Sequence, residues 1–364
     1  MTTGPTLTFH DMLNPLTSER VSLRIAQARV AERASSLPGG GQDIDGSELW
    51  TLPGLYDADE HTPFSSVGLR DSDRFAALSG GITTLTVAVQ WQDVRGLDLG
   101  EIAAQAASHV LPRIVPILSV SDSDTEGFAD WIAQHGPTVA SLFPAACKLY
   151  STDPNFWLNL AAVWAADLLP VIYCFDADAI SGVIERARRP VHFRHAISAE
   201  LVRSMRRLSG ATLQTSPHFV LPVPKEVRDQ LWVLPPVSDD GVRSSLLGVL
   251  LDEIDLLVSD HNAPPFLGQG RGPGLQVAHS FLPALLMASE LNEWPLERVL
   301  AKATSAPAAR FGVTLGESFT IVDPHYRAPG ELWPRQTPDR APFAQTPLRG
   351  RVLAAGVADR VCLI

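Results

Sequence analysis

The feature that most constrains this chain is a repeated alternation. Eight short apolar runs recur at 49–58, 81–89, 113–120, 144–150, 169–175, 189–196, 211–217 and 254–260. Each is rich in Val, Ile, Leu or Thr and nearly continuous in its apolar character. That pattern suits strands buried on both faces in a parallel sheet. Stretches at 96–111, 125–136 and 198–210 carry apolar residues three and four apart, the spacing of a helix with one buried face. In the last of these, Ser198 is placed as an N-cap and Gly210 as a C-cap. Strands alternating with helices fit a closed barrel or a doubly wound open sheet, and a count of eight favours the TIM-type (β/α)₈ barrel.

The two ends do not continue the pattern. Residues 20–52 hold the run VSLRIAQARVAER and a Gly-rich turn, and residues 317–364 are Pro-rich with short β-like pieces. Segments 1–52 and 317–364 are therefore expected to form a small β module together, leaving 53–316 as the barrel. With 45% apolar and 19% charged residues, a chain of this length has enough apolar surface for a large core. The net charge of −11 favours solubility, and no basic stripe is present to neutralise nucleic-acid phosphates. Cys147, Cys174 and Cys362 are too few for a disulfide framework, which leads us to expect a reducing, cytoplasmic setting. The start, MTTGPTLTFHDML, has neither a basic segment nor an apolar stretch, so no signal peptide is expected. Nor does any apolar run have the length of a membrane span.

In a barrel of this type the working residues sit at the C-terminal ends of the strands. Taken in order, those positions hold Asp57, Asp59, Glu60 and His61 after the first run, Lys148 on the fourth, and Cys174 on the fifth. His195 follows the sixth, His218 the seventh, and Asp260 and His261 the eighth. Metal-binding and proton-transferring groups thus converge on one face. Each also has a plainer reading, as a helix cap, a buried small residue or a supporting histidine; His192, inside its run, is read in that last way. Lys148 is harder to pass over. The chain has only three lysines, and one in an apolar strand costs desolvation unless it is paired or neutralised. It is either ion-paired with Asp59 or Asp260, or converted to a carbamate that bridges two metal ions.

At this point the residues resemble a family, the cyclic amidohydrolases that include dihydroorotase, allantoinase and hydantoinase. The resemblance runs through Pro53-Gly54-Leu55-Tyr56-Asp57, Gly80-Gly81-Ile82-Thr83-Thr84 and Lys148-Leu149-Tyr150. It continues through His195-Ala196-Ile197-Ser198, Thr215-Ser216-Pro217-His218 and Pro235-Pro236, ending at Ser259-Asp260-His261 and Ser305-Ala306-Pro307-Ala308. It implies zinc, one or two ions, held by Asp59, His61, Lys148, Cys174, His195 and Asp260, with a carboxylated Lys148 bridging if there are two. Asp260 would be the general base, and Gln90, His218 and His261 would contact a small cyclic amide. A homo-oligomer is also implied, although no interface is evident in the sequence.

The departures matter as much. Where the family has His-x-His, this chain has Asp59-Glu60-His61, and its fifth-strand histidine falls on Cys174. The arginine and asparagine that hold dihydroorotate's carboxylate fall on Pro63 and Gln90, which argues against that substrate. Arg70, Arg194 and Arg271 are candidate replacement anion contacts. Two functions follow: a metal-dependent hydrolase of a cyclic amide, imide or ureide C–N bond, or a non-catalytic relative serving as a scaffold or partner subunit. If Asp59 and Cys174 point away from the site, a single-metal centre of His61, His195 and Asp260 is the remaining arrangement.

Overall fold

A computed structural model of the chain describes residues 5–61, 69–120, 125–187, 189–262, 273–329 and 338–364. Five strands come first: β1 (Leu7–Leu13), β2 (Arg20–Ala26), β3 (Arg29–Ala34), β4 (Gln42–Asp45) and β5 (Trp50–Leu52). Eight follow in alternation with helices: β6 (Leu55–Glu60), β7 (Ile82–Gln90), β8 (Arg113–Ser119), β9 (Ala146–Tyr150), β10 (Leu169–Tyr173), β11 (His192–Arg194), β12 (Thr212–Thr215) and β13 (Leu256–Leu257). The chain ends with β14 (Ser318–Pro329), β15 (Pro347–Val357) and β16 (Arg360–Leu363).

The middle eight pair in sequence order from β6 to β13, all parallel. The sheet closes on itself through a parallel bridge between Glu60 and His261. At that seam the Asp260 amide donates to the Asp59 carbonyl at 3.1 Å, and the His61 amide to the His261 carbonyl at 2.8 Å. This is a TIM-type (β/α)₈ barrel. The terminal strands form a second sheet in the order β2-β3-β16-β15-β14-β5-β1-β4, so both ends of the chain share one β module. No helix among the described residues is long and apolar enough to cross a membrane.

Local chemistry explains where the elements begin and end. The first apolar run, read as one strand over 49–58, is two. Trp50–Leu52 pairs with β14 in the terminal sheet, Pro53-Gly54 breaks the ladder, and Leu55–Glu60 enters the barrel. Pro supplies no ladder donor, and a Cβ on Gly54 would meet Thr83 Oγ1 at 2.2 Å, so the turn requires glycine. The helix Ala199–Arg206 starts as expected, with Ser198 Oγ accepting from the Leu201 amide at 3.2 Å. It ends earlier than expected, at Arg207, and Gly210 turns the chain three residues later with φ of 75°.

Strand alternation then sorts side chains to the two faces. Cys147, Leu149, Ile172 and Cys174 belong to the large apolar cluster shared with the surrounding helices. Tyr56, Ala58, Ile117, Ala146, Val171, Leu256 and Val258 form another cluster, with Phe311 at its end. Side chains from five barrel strands can touch one another only inside the barrel, so this second set is its interior floor. Lys148, two residues on from Ala146, therefore also faces inward, above that floor.

Packing around the first helix is tight enough to test. A Cβ on Gly80 would lie 1.7 Å from the Ala278 carbonyl oxygen, a backbone atom, whereas one on Gly96 meets nothing within 4 Å among the described residues. Gly80→Ala should cost about 1–3 kcal/mol by overpacking, and Gly96→Ala less than about 0.5 kcal/mol. Urea unfolding of the two variants checks this, and equal stabilities would contradict the packing.

Candidate active site

The seam carries the polar residues of the barrel mouth. Asp57 spans it: its carboxylate accepts from the Ser259 amide at 2.9 Å and from the Ser259 hydroxyl, and burial pushes its pKa up to about 7. Two residues on, Asp59 is buried at 1% exposure and is the most heavily bonded group in the mouth. Lys148 Nζ donates to its Oδ1 at 2.7 Å. Arg194 Nε donates to its Oδ2 at 2.7 Å, and Gln214 Nε2 donates to the same oxygen. Burial alone would raise the Asp59 pKa, but the Arg194 and Lys148 cations outweigh it and hold the carboxyl well below its usual range.

The supports of this cluster are ordered in turn. His192 Nε2 donates to Gln214 Oε1 at 2.8 Å while its Nδ1 accepts from Thr212 Oγ1 at 2.8 Å, which fixes the amide so that Gln214 presents its NH₂ to Asp59. The Arg194 guanidinium lies 5.8 Å from the Tyr150 ring and 5.4 Å from the Tyr173 ring. Its Nη2 donates to His61 Nε2 at 2.7 Å.

A second group gathers on Asp260. His61 Nε2 lies 3.4 Å from its Oδ1, and His195 Nδ1 and His218 Nε2 each lie 3.8 Å from its Oδ2. His195 Nδ1 and both ring nitrogens of His218 are buried with no hydrogen-bond partner among the described residues. Burial lowers the pKa of His61 to about 3 and those of His195 and His218 to about 4, so all three are neutral imidazoles near pH 7. His195 and Asp260 both adopt φ of 56°. For residues with a Cβ that conformation is strained, and such strain concentrates where geometry serves function.

Neutral imidazoles beside a carboxylate are the protonation states a metal ion requires. Donors bound at about 2.1 Å around one tetrahedral ion lie roughly 3.4 Å apart. His195 Nδ1 and His218 Nε2, each 3.8 Å from Asp260 Oδ2, stand near that spacing from the carboxylate. Asp59, His195 and Asp260 also present donor atoms within 4.8 Å of one another, but both Asp59 oxygens already serve Lys148, Arg194 and Gln214. Groups that could hold a metal ion are therefore present at the mouth.

The expected site residues divide accordingly. Asp59, His61, Lys148, His195, His218 and Asp260 are brought together. Cys174 is not: it packs in the outer apolar cluster, its Sγ lies 3.7 Å from the Asp176 carbonyl oxygen, and burial pushes its pKa up to about 11. His261 is occupied structurally, its Nδ1 accepting from the Val277 and Ala278 amides at 3.0 and 3.3 Å. Gln90 lies at the mouth end of β7, with its Oε1 buried and unbonded among the described residues. Arg70 precedes the helix Asp71–Ser79 and pairs with Asp73 in its first turn. Pro63 and Arg271 lie outside the described residues. Gln214 and the central place of Arg194 were missed from sequence, although alternation from His192 signals that Arg194 faces inward.

No family model matches the chain, and no curated protein does. Solved structures do. A D-hydantoinase is similar with a TM-score of 0.76 at 15% identity, over 98% of this chain and 95% of that one. The dihydroorotase of Campylobacter jejuni is similar with a TM-score of 0.60 at 12% identity, over 84% of this chain and 97% of that one. A β-aspartyl dipeptidase from Fervidobacterium islandicum AW-1 is similar with a TM-score of 0.55 at 15% identity, over 97% of this chain and 96% of that one. The chain thus shares its fold with these structures over most of its length.

Removing Asp59 would strip Lys148 of its buried carboxylate and leave Arg194 only the 4.0 Å contact to Asp260, whereas removing Lys148 leaves Asp59 with Arg194 and Gln214. Asp59→Ala should therefore cost about 3–5 kcal/mol, and Lys148→Met about 1–3 kcal/mol. Chemical denaturation measures both; a costlier Lys148→Met would contradict the shared carboxylate.

Proposed function

We propose that the chain is a metal-dependent hydrolase of the cyclic amidohydrolase kind, cleaving a C–N bond in a small cyclic amide, imide or ureide. The observation that carries this reading is the set of neutral histidine nitrogens of His195 and His218, unbonded among the described residues and facing one carboxylate, Asp260, at the mouth of an amidohydrolase-like barrel. Asp260, His195 and His218 would hold one divalent ion, with His61 beside them; zinc suits the two imidazoles, and manganese tolerates the carboxylate.

Such an ion would supply Lewis acidity, making water nucleophilic and polarising the scissile carbonyl. The protein groups do the rest. Asp260 takes a proton from the attacking water as the C–O bond forms, and returns it to the ring nitrogen as the C–N bond breaks. Arg194, 4.0 Å from Asp260 Oδ1, keeps a fixed positive charge beside the reacting centre. Tyr150 and Tyr173 flank the guanidinium at the mouth ends of β9 and β10. Gln90, at the end of β7, offers a carbonyl oxygen to a substrate N–H.

A second reading rests on a different observation. Asp59 and Asp260 are already balanced by Lys148 and Arg194, so the mouth is electrically complete without an ion. This is the arrangement of a non-catalytic relative, retained as a scaffold or partner subunit.

Elemental analysis of protein purified without chelator separates the two. The hydrolase reading predicts about one zinc or manganese ion per chain and turnover on a panel of hydantoins, dihydropyrimidines and cyclic imides. It also predicts that Asp260→Asn lowers kcat/KM by roughly a hundredfold or more while the protein stays folded. Neither metal uptake nor turnover would sink it in favour of the second reading.

A further inference from the structure

We propose that the buried Asp59–Lys148–Arg194 cluster takes the place of a second metal ion and of a lysine carbamate bridge, so that Lys148 remains an unmodified ammonium and the centre holds at most one ion. The proposal holds whether or not the chain is catalytic, because it concerns only what the mouth can accommodate.

Four observations converge on it. First, three donors already occupy the Asp59 carboxylate, Oδ1 accepting from Lys148 Nζ at 2.7 Å and Oδ2 from Arg194 Nε at 2.7 Å and from Gln214 Nε2. Second, the His61 lone pair at Nε2 is taken by Arg194 Nη2 at 2.7 Å. The two first-strand positions that would serve one ion are therefore both bonded to the same guanidinium. Third, Cys174 sits on the outer face of the barrel, so the other ion of a pair would lack its fifth-strand ligand.

The fourth observation is charge. Lys148, Arg194 and Asp59 sum to a single positive charge, and Asp260, with its Oδ1 4.0 Å from Arg194 Nη2, cancels it. All four side chains are at least nine-tenths buried, so the balance has little help from solvent. A carbamate on Lys148 would replace the ammonium by an anion in contact with the Asp59 carboxylate. A pair of divalent ions would then add four positive charges beside an arginine that cannot lose its own. Removing the arginine from the cavity would strip the Tyr150 and Tyr173 faces of their cation as well.

The test uses the whole wild-type chain, incubated with zinc and isotopically labelled bicarbonate. Carbon NMR reads any carbamate, and elemental analysis after desalting reads bound metal. We expect no carbamate resonance and no more than one zinc per chain. A Lys148→Gln variant should then bind the same amount of zinc as wild type, because Lys148 is not a ligand. A carbamate resonance, two ions per chain, or loss of bound zinc in Lys148→Gln would overturn the proposal; the first two come from the unmodified protein and do not depend on how the variant folds. Absence of all metal would remove the hydrolase reading above and leave this one standing.

Discussion

The mouth of this barrel is organised by one buried carboxylate. Asp59 cannot lie at 1% exposure in the interior without compensation, because an unpaired charge there costs several kcal/mol. Its partners arrive from three other strands: Lys148 from β9, Arg194 from β11 and Gln214 from β12. The charge that must be matched thereby ties β6 to strands across the barrel, not only to its neighbour β7. At the seam beside it, Asp57 bonds Ser259 and the Asp59 carbonyl accepts from Asp260, so closure of the barrel and assembly of the site use the same few residues. Such a network is costly when half satisfied, which is why the supports reach as far as His192 and Thr212.

The remaining titratable groups fall into place around that cluster. With Arg194 bonded to His61, burial and a neighbouring cation both disfavour protonation of the imidazole. His195 and His218 are kept neutral by burial, yet they face a carboxylate across gaps too long for a hydrogen bond. The mouth therefore has a saturated half, centred on Asp59, and a half with coordination capacity to spare, centred on Asp260. Chemistry, where it occurs, belongs to the second half; the first supplies fixed charge and rigidity.

Much of the architecture was legible in the sequence because strands buried on both faces leave a strong apolar signal, and eight of them read in order. Errors arose where local geometry decides. The run at 49–58 is two strands because Pro53-Gly54 interrupts the ladder, and the run at 254–260 pairs as a strand only over Leu256–Leu257 before Asp260 takes a left-handed φ of 56° at the seam. In the site, Asp59, His61, Lys148, His195 and Asp260 gather as their strand-end positions imply. Cys174 does not, and side-chain parity is the reason: it shares a face with Ile172, while Val171 and Tyr173 point the other way. The strand-end position of His261 suggests a substrate contact, while its Nδ1 accepts from amides sixteen and seventeen residues away, a tertiary bond with no local signature.

Anomalous diffraction at the zinc edge, from crystals grown with excess zinc and bicarbonate, shows how many ions the mouth takes. At most one peak is expected, lying among His195, His218 and Asp260, with Lys148 unmodified and Arg194 still bonded to Asp59. Two peaks bridged by a modified Lys148, with Arg194 displaced from Asp59, would contradict it.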